Sequence, residues 1–302
     1  MAALPELRRA VQADVPAMLD VFFRSMEDLD ERRRRPLQPR NPGPLRAHLD
    51  HLLATDPRSC VVADDGGRLV AFGVIMVREG DGFLSFLFVA PRWQGRGLGR
   101  TVIGECLRGA GAVTRLATCA EADQLVSTGL YTSLGLAPRE PIYLLRGALE
   151  LGLLPALPAG LRALPLGAES APGQDVVDGL DLRSMGFRRP QDHAFWSGGG
   201  RRGWLFAGPD GDLLGYGYAH PSGRIGPVLA SDPTLLPVLL GHLARTTPVL
   251  EGWQAMVPGA AIAALRPLMA AGLRMDGTPA VYCSQSPRPA FDRYLPMSFA
   301  LL

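Results

Sequence analysis

The sequence has no lysine: all 31 of its basic residues are arginine. That absence excludes a Walker phosphate loop, a pyridoxal Schiff base and a lysine nucleophile. Cysteine is also scarce. Cys60, Cys106, Cys119 and Cys283 lie far apart with no CxxC pair. This spacing fits neither a zinc site nor a disulfide framework, and it suits a reducing, cytoplasmic setting. The five histidines (His48, His51, His193, His220 and His242) show no metal-ligand spacing, so no metal is expected. No run approaches the roughly 18 uninterrupted apolar residues of a membrane helix. The N-terminal MAALPELRRAVQAD carries charge where a signal peptide needs its apolar stretch. A net charge of +2 makes no electrostatic case for a nucleic-acid partner.

What is present is an ordinary folding composition, 47% hydrophobic and 20% charged over 302 residues. That length predicts two domains. The first half reads as mixed α/β. Helical spacing of Val15, Met18, Leu19, Phe22 and Phe23 predicts a helix over 9–26 with Asp14 as N-cap, and a second short helix follows over 44–53. Strands are expected over 59–63, 69–78 and 82–89, separated by the turns Asp64–Gly67 and Glu79–Gly82. A glycine-rich loop then opens a helix bearing Leu98, Val102, Ile103, Cys106, Leu107 and Ala110 on one face. A strand over 113–119, a helix over 124–134 and a strand over 142–146 complete the half.

The segment 149–160 (LELGLLPALPAG) reads as a linker packed against the protein. Beyond it the same order of elements recurs: strand over 161–166, helix over 175–186, strands over 203–207, 213–219 and 224–230. A helix over 233–245, a strand over 251–257, a helix over 260–272 and a strand over 280–284 follow. This is the pattern of a degenerate tandem duplication, with domains at 1–148 and 161–302.

The sharpest signal is the run from Phe83 to Arg100, FLSFLFVAPRWQGRGLGR. A buried strand ends at Val89, and a loop with Gly95, Gly97 and Gly99 enters a helix. Glycines permit positive φ and close backbone approach, and the first helical amides have no internal partners. With the helix dipole they form an anion cradle suited to a pyrophosphate, beside Arg96 and Arg100. The dinucleotide pattern GxGxxG fails, because its sixth position is Arg100 or Val102.

The stretch Gln94-Gly95-Arg96-Gly97-Leu98-Gly99 resembles the Q/R-x-x-G-x-G/A motif of the GNAT acetyltransferases. Leu87-Phe88-Val89-Ala90-Pro91 is similar to that family's L-x-V-x-P strand end. Leu130-Tyr131-Thr132-Ser133-Leu134-Gly135-Leu136 is similar to its L-Y-x-x-L-G-F element. The resemblance covers roughly residues 8–147.

It implies two tandem GNAT-like domains of the α/β (α+β) class, each a mixed, mostly antiparallel sheet flanked by helices. It also implies acetyl-CoA as co-substrate, whose pantetheine lies between the family's fourth and fifth strands where these splay after a bulge. The corresponding backbone positions are Leu87, Phe88 and Val89. The pyrophosphate positions are Gly95, Arg96, Gly97, Leu98, Gly99 and Arg100, with Gln94 opening the motif. Gln124 stands where many members place a cofactor-contacting asparagine. The implied reaction is direct attack of a primary amine on the thioester, with Tyr131 protonating the departing thiolate; Tyr131 also fits a plain core aromatic. The implied acceptor is a small-molecule or peptide amine, with no nucleic-acid or membrane partner, in a monomer or homodimer. The rival readings are a non-catalytic acyl-CoA sensor or scaffold, and an acyltransferase using a longer acyl-CoA.

One departure from the family matters. Many members place a glutamate base on the fourth strand, where this sequence has Ser85. A water relay, an acid such as Glu27, Asp28 or Asp30, or a weakly basic acceptor would each answer the need. Met26–Glu31 and Arg32–Arg35 are expected in the segment after the first helix, as a solvated charged loop or as a gate for charged substrates. In the second half, the counterpart of the cradle runs from Gly226 to Gly241 with no glycine between. Asp232 is expected to cap its helix with Pro233 at the first position, repelling a pyrophosphate, so this half is expected to bind no acetyl-CoA. Mycothiol synthases, tandem members of the family, also pair a working domain with a degraded one, although there the working domain is the C-terminal one.

Overall fold

A computed structural model describes residues 5–166 and 173–302. The chain forms two compact units, Met1–Ala117 and Thr118–Leu302. In chain order the first holds β1 (Glu6–Arg9), α1 (Val15–Arg32), α2 (Pro42–Thr55), β2 (Cys60–Asp65), β3 (Arg68–Arg78), β4 (Asp81–Val89) and α3 (Leu98–Ala110). It ends inside β5 (Arg115–Glu121).

Strands β1 to β4 form an antiparallel series in sequence order. β3 is apolar on both faces because helices cover both. Gly73 faces α3, where a Cβ would come within 2.7 Å of Val102. Phe72 stacks on Phe88, which in turn meets Phe22 of α1. The register of β4 against β3 jumps from Val74↔Phe86 to Ile75↔Leu84. Ser85 is therefore the extra residue of a β-bulge.

Two expectations for the first helix need correction. Asp14 makes no side-chain capping bond to α1. Its carboxylate instead accepts a bidentate pair from Arg8 at 2.7 and 2.8 Å and the Val11 amide at 2.9 Å. These partners hold it below the usual carboxylate range, the Arg8 hydrogen bond being the main cause. The helix also runs on to Arg32, so Met26–Glu31 and Arg32 are helical rather than part of a loop. Ion pairs one turn apart, Asp20–Arg24 at 2.8 Å and Asp28–Arg32 at 2.7 Å, support the extension.

The second unit continues with α4 (Leu125–Ser133), β6 (Ala137–Gly147), β7 (Arg162–Pro165), α5 (Gln174–Ser184), α6 (Pro190–Gly198), β8 (Arg202–Ala207) and β9 (Leu213–Ala219). Then come β10 (Arg224–Ala230), α7 (Leu236–Thr246), β11 (Trp253–Pro258), α8 (Ile262–Ala270), β12 (Arg274–Met275), β13 (Ala280–Ser284) and β14 (Tyr294–Leu295). Strands β7 to β10 repeat the antiparallel series of the first unit. The sequence periodicity did not reveal β1, α6, β12 or β14: three of these are very short, and α6 has little amphipathic pattern.

The strand β6 explains why the compact units do not divide where the two repeats meet in sequence. By order it closes the first repeat. By pairing it lies antiparallel to β11 over Ile142–Gly147 and antiparallel to β13 over Ala137–Ile142. β12 adds a third contact from the same repeat. The 149–160 segment that follows is anchored: Leu154 is buried, and the Arg245 guanidinium donates to the carbonyls of Leu151, Leu154 and Pro155 at 2.6–2.9 Å. Among the described residues no helix is long and apolar enough to cross a membrane.

Leu145 of β6 is fully buried in one apolar cluster with Ile225, Leu236, Leu240, Leu243 and Leu268. Leu145→Ala is expected to lower stability by about 2–5 kcal/mol, through lost apolar contact and the cavity left behind. Leu250→Ala, at a side chain 97% exposed, should stay within about 0.5 kcal/mol. Urea unfolding of the two variants checks the difference.

Candidate active site

The loop after β4 is built from the end of the strand outward. Ala90 N–H donates to Val70 O, which holds the last pleat of β4 on β3. The chain then makes a short 3-10 turn over Pro91–Trp93. Gln94 is exposed, but both ends of its amide are engaged: Nε2 donates to Val89 O at 2.9 Å, and Oε1 accepts from Arg32 at 3.3 Å. Ser25 Oγ reaches the same Val89 carbonyl at 3.2 Å. The C-terminal half of α1 thus touches both the end of β4 and the start of the loop. The sequence pattern did not single out Ser25, although it sits on the inward face one turn after Val21.

Gly95 and Gly97 both have positive φ, +74° and +82°, and a Cβ at either would meet no atom within 4 Å. Gly97 is the N-cap of α3, so the amides of Leu98 and Gly99 belong to its first turn and have no intrahelical acceptor. The result is an open, exposed turn whose first helical N–H groups lie at the positive end of a helix dipole. Leu98 is buried and anchors the turn, while Arg96 and Arg100 are exposed beside it. The Arg96 guanidinium lies 5.4 Å from the centre of the Trp93 ring, a cation–π contact that holds it near the rim. Of the β4 residues, Leu87, Phe88 and Val89 are half-buried and follow directly on the Ser85 bulge.

Gln124 and Tyr131 belong to the second compact unit. Gln124 is the N-cap of α4, its carbonyl accepting the Thr128 amide and hydroxyl. Tyr131 is buried, with a side-chain hydrogen bond to Thr118. Burial pushes its phenol up to about 12, against a smaller opposing pull from Thr118. A phenol in that state keeps its proton at neutral pH, so it can donate a proton but cannot serve as a base. Thr118 was not foreseen, because only the fold brings β5 against α4.

Of the acids considered for a base, Glu27 is engaged by Arg40 through two bonds of 2.6 and 2.7 Å, which hold it below the usual carboxylate range. Asp28 is paired with Arg32. Asp30 is buried and has no side-chain partner among the described residues. Among the described residues the Ser85 hydroxyl reaches Phe83 O, at 3.4 Å. Among the described residues no group of three or more His, Cys, Asp or Glu side chains could hold a metal.

The counterpart in the second repeat has the same plan with its openings closed. Asp232 caps the short 3-10 turn that leads into α7, its carboxylate accepting the Thr234 amide at 2.8 Å and the Thr234 hydroxyl at 2.6 Å. A bulge again interrupts the central strand, between Ile225 and Val228 of β10. Beyond it, β10 leaves β11, whose parallel pairing covers only Arg224↔Gln254 and Ile225↔Ala255. The chain's own β14 takes the freed edge, pairing Leu295 with Val228 and Tyr294 with Leu229. No sequence signal marked this segment as a strand.

Residues 23–136 match the family model described as acetyltransferase (GNAT) family. This segment belongs to the GNAT family. A search of curated proteins finds no match. Solved structures show the fold to be that of tandem GNAT proteins. A provisionally assigned acetyltransferase from Pyrococcus horikoshii is 17% identical, with a TM-score of 0.77 over 100% of this chain and 97% of the other. A tandem GNAT protein from the clavulanic acid biosynthesis pathway is 17% identical, with a TM-score of 0.59 over 95% and 100%. A GCN5-related N-acetyltransferase from Sphaerobacter thermophilus is 18% identical, with a TM-score of 0.60 over 95% and 97%.

In the GNAT segment, Gly97→Ala introduces no clash but forces a Cβ into the left-handed region. It is expected to cost about 1–2 kcal/mol, measured by chemical unfolding.

Proposed function

We propose that the first repeat, residues 1–148, transfers the acetyl group of acetyl-CoA to a primary amine of a small molecule or peptide, with Tyr131 as general acid. The observation that carries this reading is the open, amide-lined turn at Gly95–Gly99, set directly after a bulged strand in a GNAT segment. The residues present fit a diphosphate: positive φ at both glycines, free space where side chains would stand, first-turn amides and two arginines at the rim. Gly95, Arg96, Gly97, Leu98, Gly99 and Arg100 would hold the diphosphate, Gln94 would brace the turn through Val89, and the backbone of Leu87, Phe88 and Val89 would offer the edge for pantetheine. Gln124 would meet the cofactor from α4.

When bound, acetyl-CoA supplies an activated carbonyl and a thiolate leaving group. The chain supplies position and protons. Holding the amine against the carbonyl replaces a bimolecular encounter by a positioned one. Tyr131, kept protonated by burial, gives its proton to the departing sulfur. Asp30 is a buried carboxylate on α1 with no ion pair among the described residues, and we assign it, directly or through water, to take the proton from the amine. The second repeat takes no acetyl-CoA in this reading, because Asp232 caps the 3-10 turn that leads into its helix and its strand edge is occupied by β14.

The test is acetyl-CoA turnover against an amine panel, read as thiol release, alongside thermal shift with CoA esters. Gly97→Glu places bulk and negative charge in the turn and should weaken CoA binding at least about tenfold. No thermal shift with any CoA ester, or unchanged CoA affinity in Gly97→Glu, would overturn the proposal. Binding without thiol release would leave only an acyl-CoA sensor, and preference for succinyl- or propionyl-CoA in competition would redirect it to a longer acyl group.

Tyr131→Phe should lower kcat by about 10²-fold or more while the KM for acetyl-CoA changes little. The acid form is present below its titration at about 12 and lost above it. The kcat profile should therefore show no loss from this group up to about pH 10.

A further inference from the structure

Two arginines in the second repeat have no carboxylate ion pair among the described residues. Arg201 directly precedes β8, His220 directly follows β9, Arg224 opens β10, and Gln254 lies beside Arg224 on β11. The pairings Arg202↔Ala219 and Ile225↔Ala219 bring these positions to one end of the sheet. Arg201 Nε is buried without a hydrogen-bond partner, and its Nη2 reaches only the Met297 sulfur at 3.4 Å, a weak acceptor. Arg224 converges on the same residue, donating from Nη1 to Met297 O at 3.2 Å and from Nη2 to Gln254 Oε1 at 2.9 Å. Neither guanidinium forms an ion pair with a carboxylate among the described residues. The nearby Arg146 is paired with Asp276 at 3.1 Å and brings no acid to the group.

His220 adds a donor. Its Nδ1 accepts the Ser222 amide at 3.0 Å, so in the neutral ring the proton sits on Nε2. Nε2 faces Gly200, 3.5 Å from where a Cβ would stand, and Gly200 is the residue just before Arg201. Arg201 and Arg224 thus meet at Met297, and His220 Nε2 stands beside Gly200, the residue before Arg201, with no carboxylate paired to either guanidinium among the described residues. A buried cation costs free energy unless it is paired, and a guanidinium fork matches a carboxylate or phosphate.

We propose that the second repeat holds a small oxyanion, a carboxylate or phosphate group, between Arg201, Arg224 and His220. The burial that draws Arg201 and Arg224 below their ordinary titration range agrees with a site waiting for a negative partner. The site lies at the start of β10. It is thus distinct from the counterpart of the phosphate cradle, which follows the end of that strand at Asp232.

The experiment measures thermal unfolding and calorimetric binding of the full chain at fixed ionic strength, exchanging chloride for inorganic phosphate or for succinate. The wild type should show a saturable rise in Tm with at least one of the two. Phosphate alone or succinate alone identifies the preferred group, and both together identify a general oxyanion site. Arg201→Met removes the unpaired charge: it should melt at or above the wild type in chloride and lose at least tenfold in anion affinity. His220→Leu should weaken the same binding while leaving the fold intact. Gly97→Glu, which disables the cradle of the first repeat, should leave it unchanged. No saturable effect of either anion, or an effect that survives Arg201→Met but vanishes in Gly97→Glu, would overturn the proposal.

Discussion

Much of this molecule depends on the pairing of one strand. β6 closes the first repeat in sequence, yet β11, β13 and β12 of the second repeat flank it in the sheet. Its Leu145 reaches into the apolar cluster that includes Leu236, Leu240 and Leu268. An unpaired strand edge exposes a row of backbone donors and acceptors. With β6 between them, β11 and β13 each have a paired neighbour on that side. The second repeat therefore cannot complete its sheet without a strand from the first, which is why β6 belongs to the second compact unit. The anchored 149–160 segment, gripped by Arg245, reinforces that dependence.

The two copies share the frame and differ in how their polar groups are satisfied. In both, a bulge interrupts the central strand, at Ser85 in β4 and between Ile225 and Val228 in β10. After the first bulge the chain leaves a turn with open space at Gly95 and Gly97. After the second, β14 takes the strand edge and Asp232 takes the first amide of the following turn. A site that must receive a ligand keeps its donors unsatisfied, whereas a site that only supports the fold satisfies them from within. The interior of the second repeat follows the latter rule around Asp181, whose carboxylate is bound by Arg189, His193 and Tyr216, all buried. Arg201 and Arg224 depart from it.

Most of the secondary structure and the cradle were legible in the residues. Apolar runs bounded by turns marked β2, β3 and β4, period-3.6 spacing marked α3, and glycines that need positive φ marked the turn between them. The helix expected over 9–26 is displaced: Arg9 belongs to β1 and α1 starts at Val15, while at the other end charged residues after Met26 broke the apolar pattern although i,i+4 ion pairs kept the helix going to Arg32. β14 and α6 were missed: a two-residue strand has no period, and α6 carries buried polar side chains, Asp192 and His193, where a pattern expects apolar ones. Ser25 and Thr118 were missed for a different reason. Each matters only through a partner distant in sequence, Val89 for one and Tyr131 for the other.

The sequence alone determined most of the elements, their duplicated order and the positive-φ conformation of the glycine turn, because these depend on local periodicity and backbone conformational freedom. The tertiary structure decided where β6 pairs, what fills the second cleft, which acids are already spoken for by arginine, and how far burial raises the Tyr131 phenol. Those properties come from neighbours that only the fold brings together, from Glu27 and Arg40 on one unit to β6 and β11 more than a hundred residues apart, and hydrogen-bond satisfaction and desolvation exist only once that environment has formed.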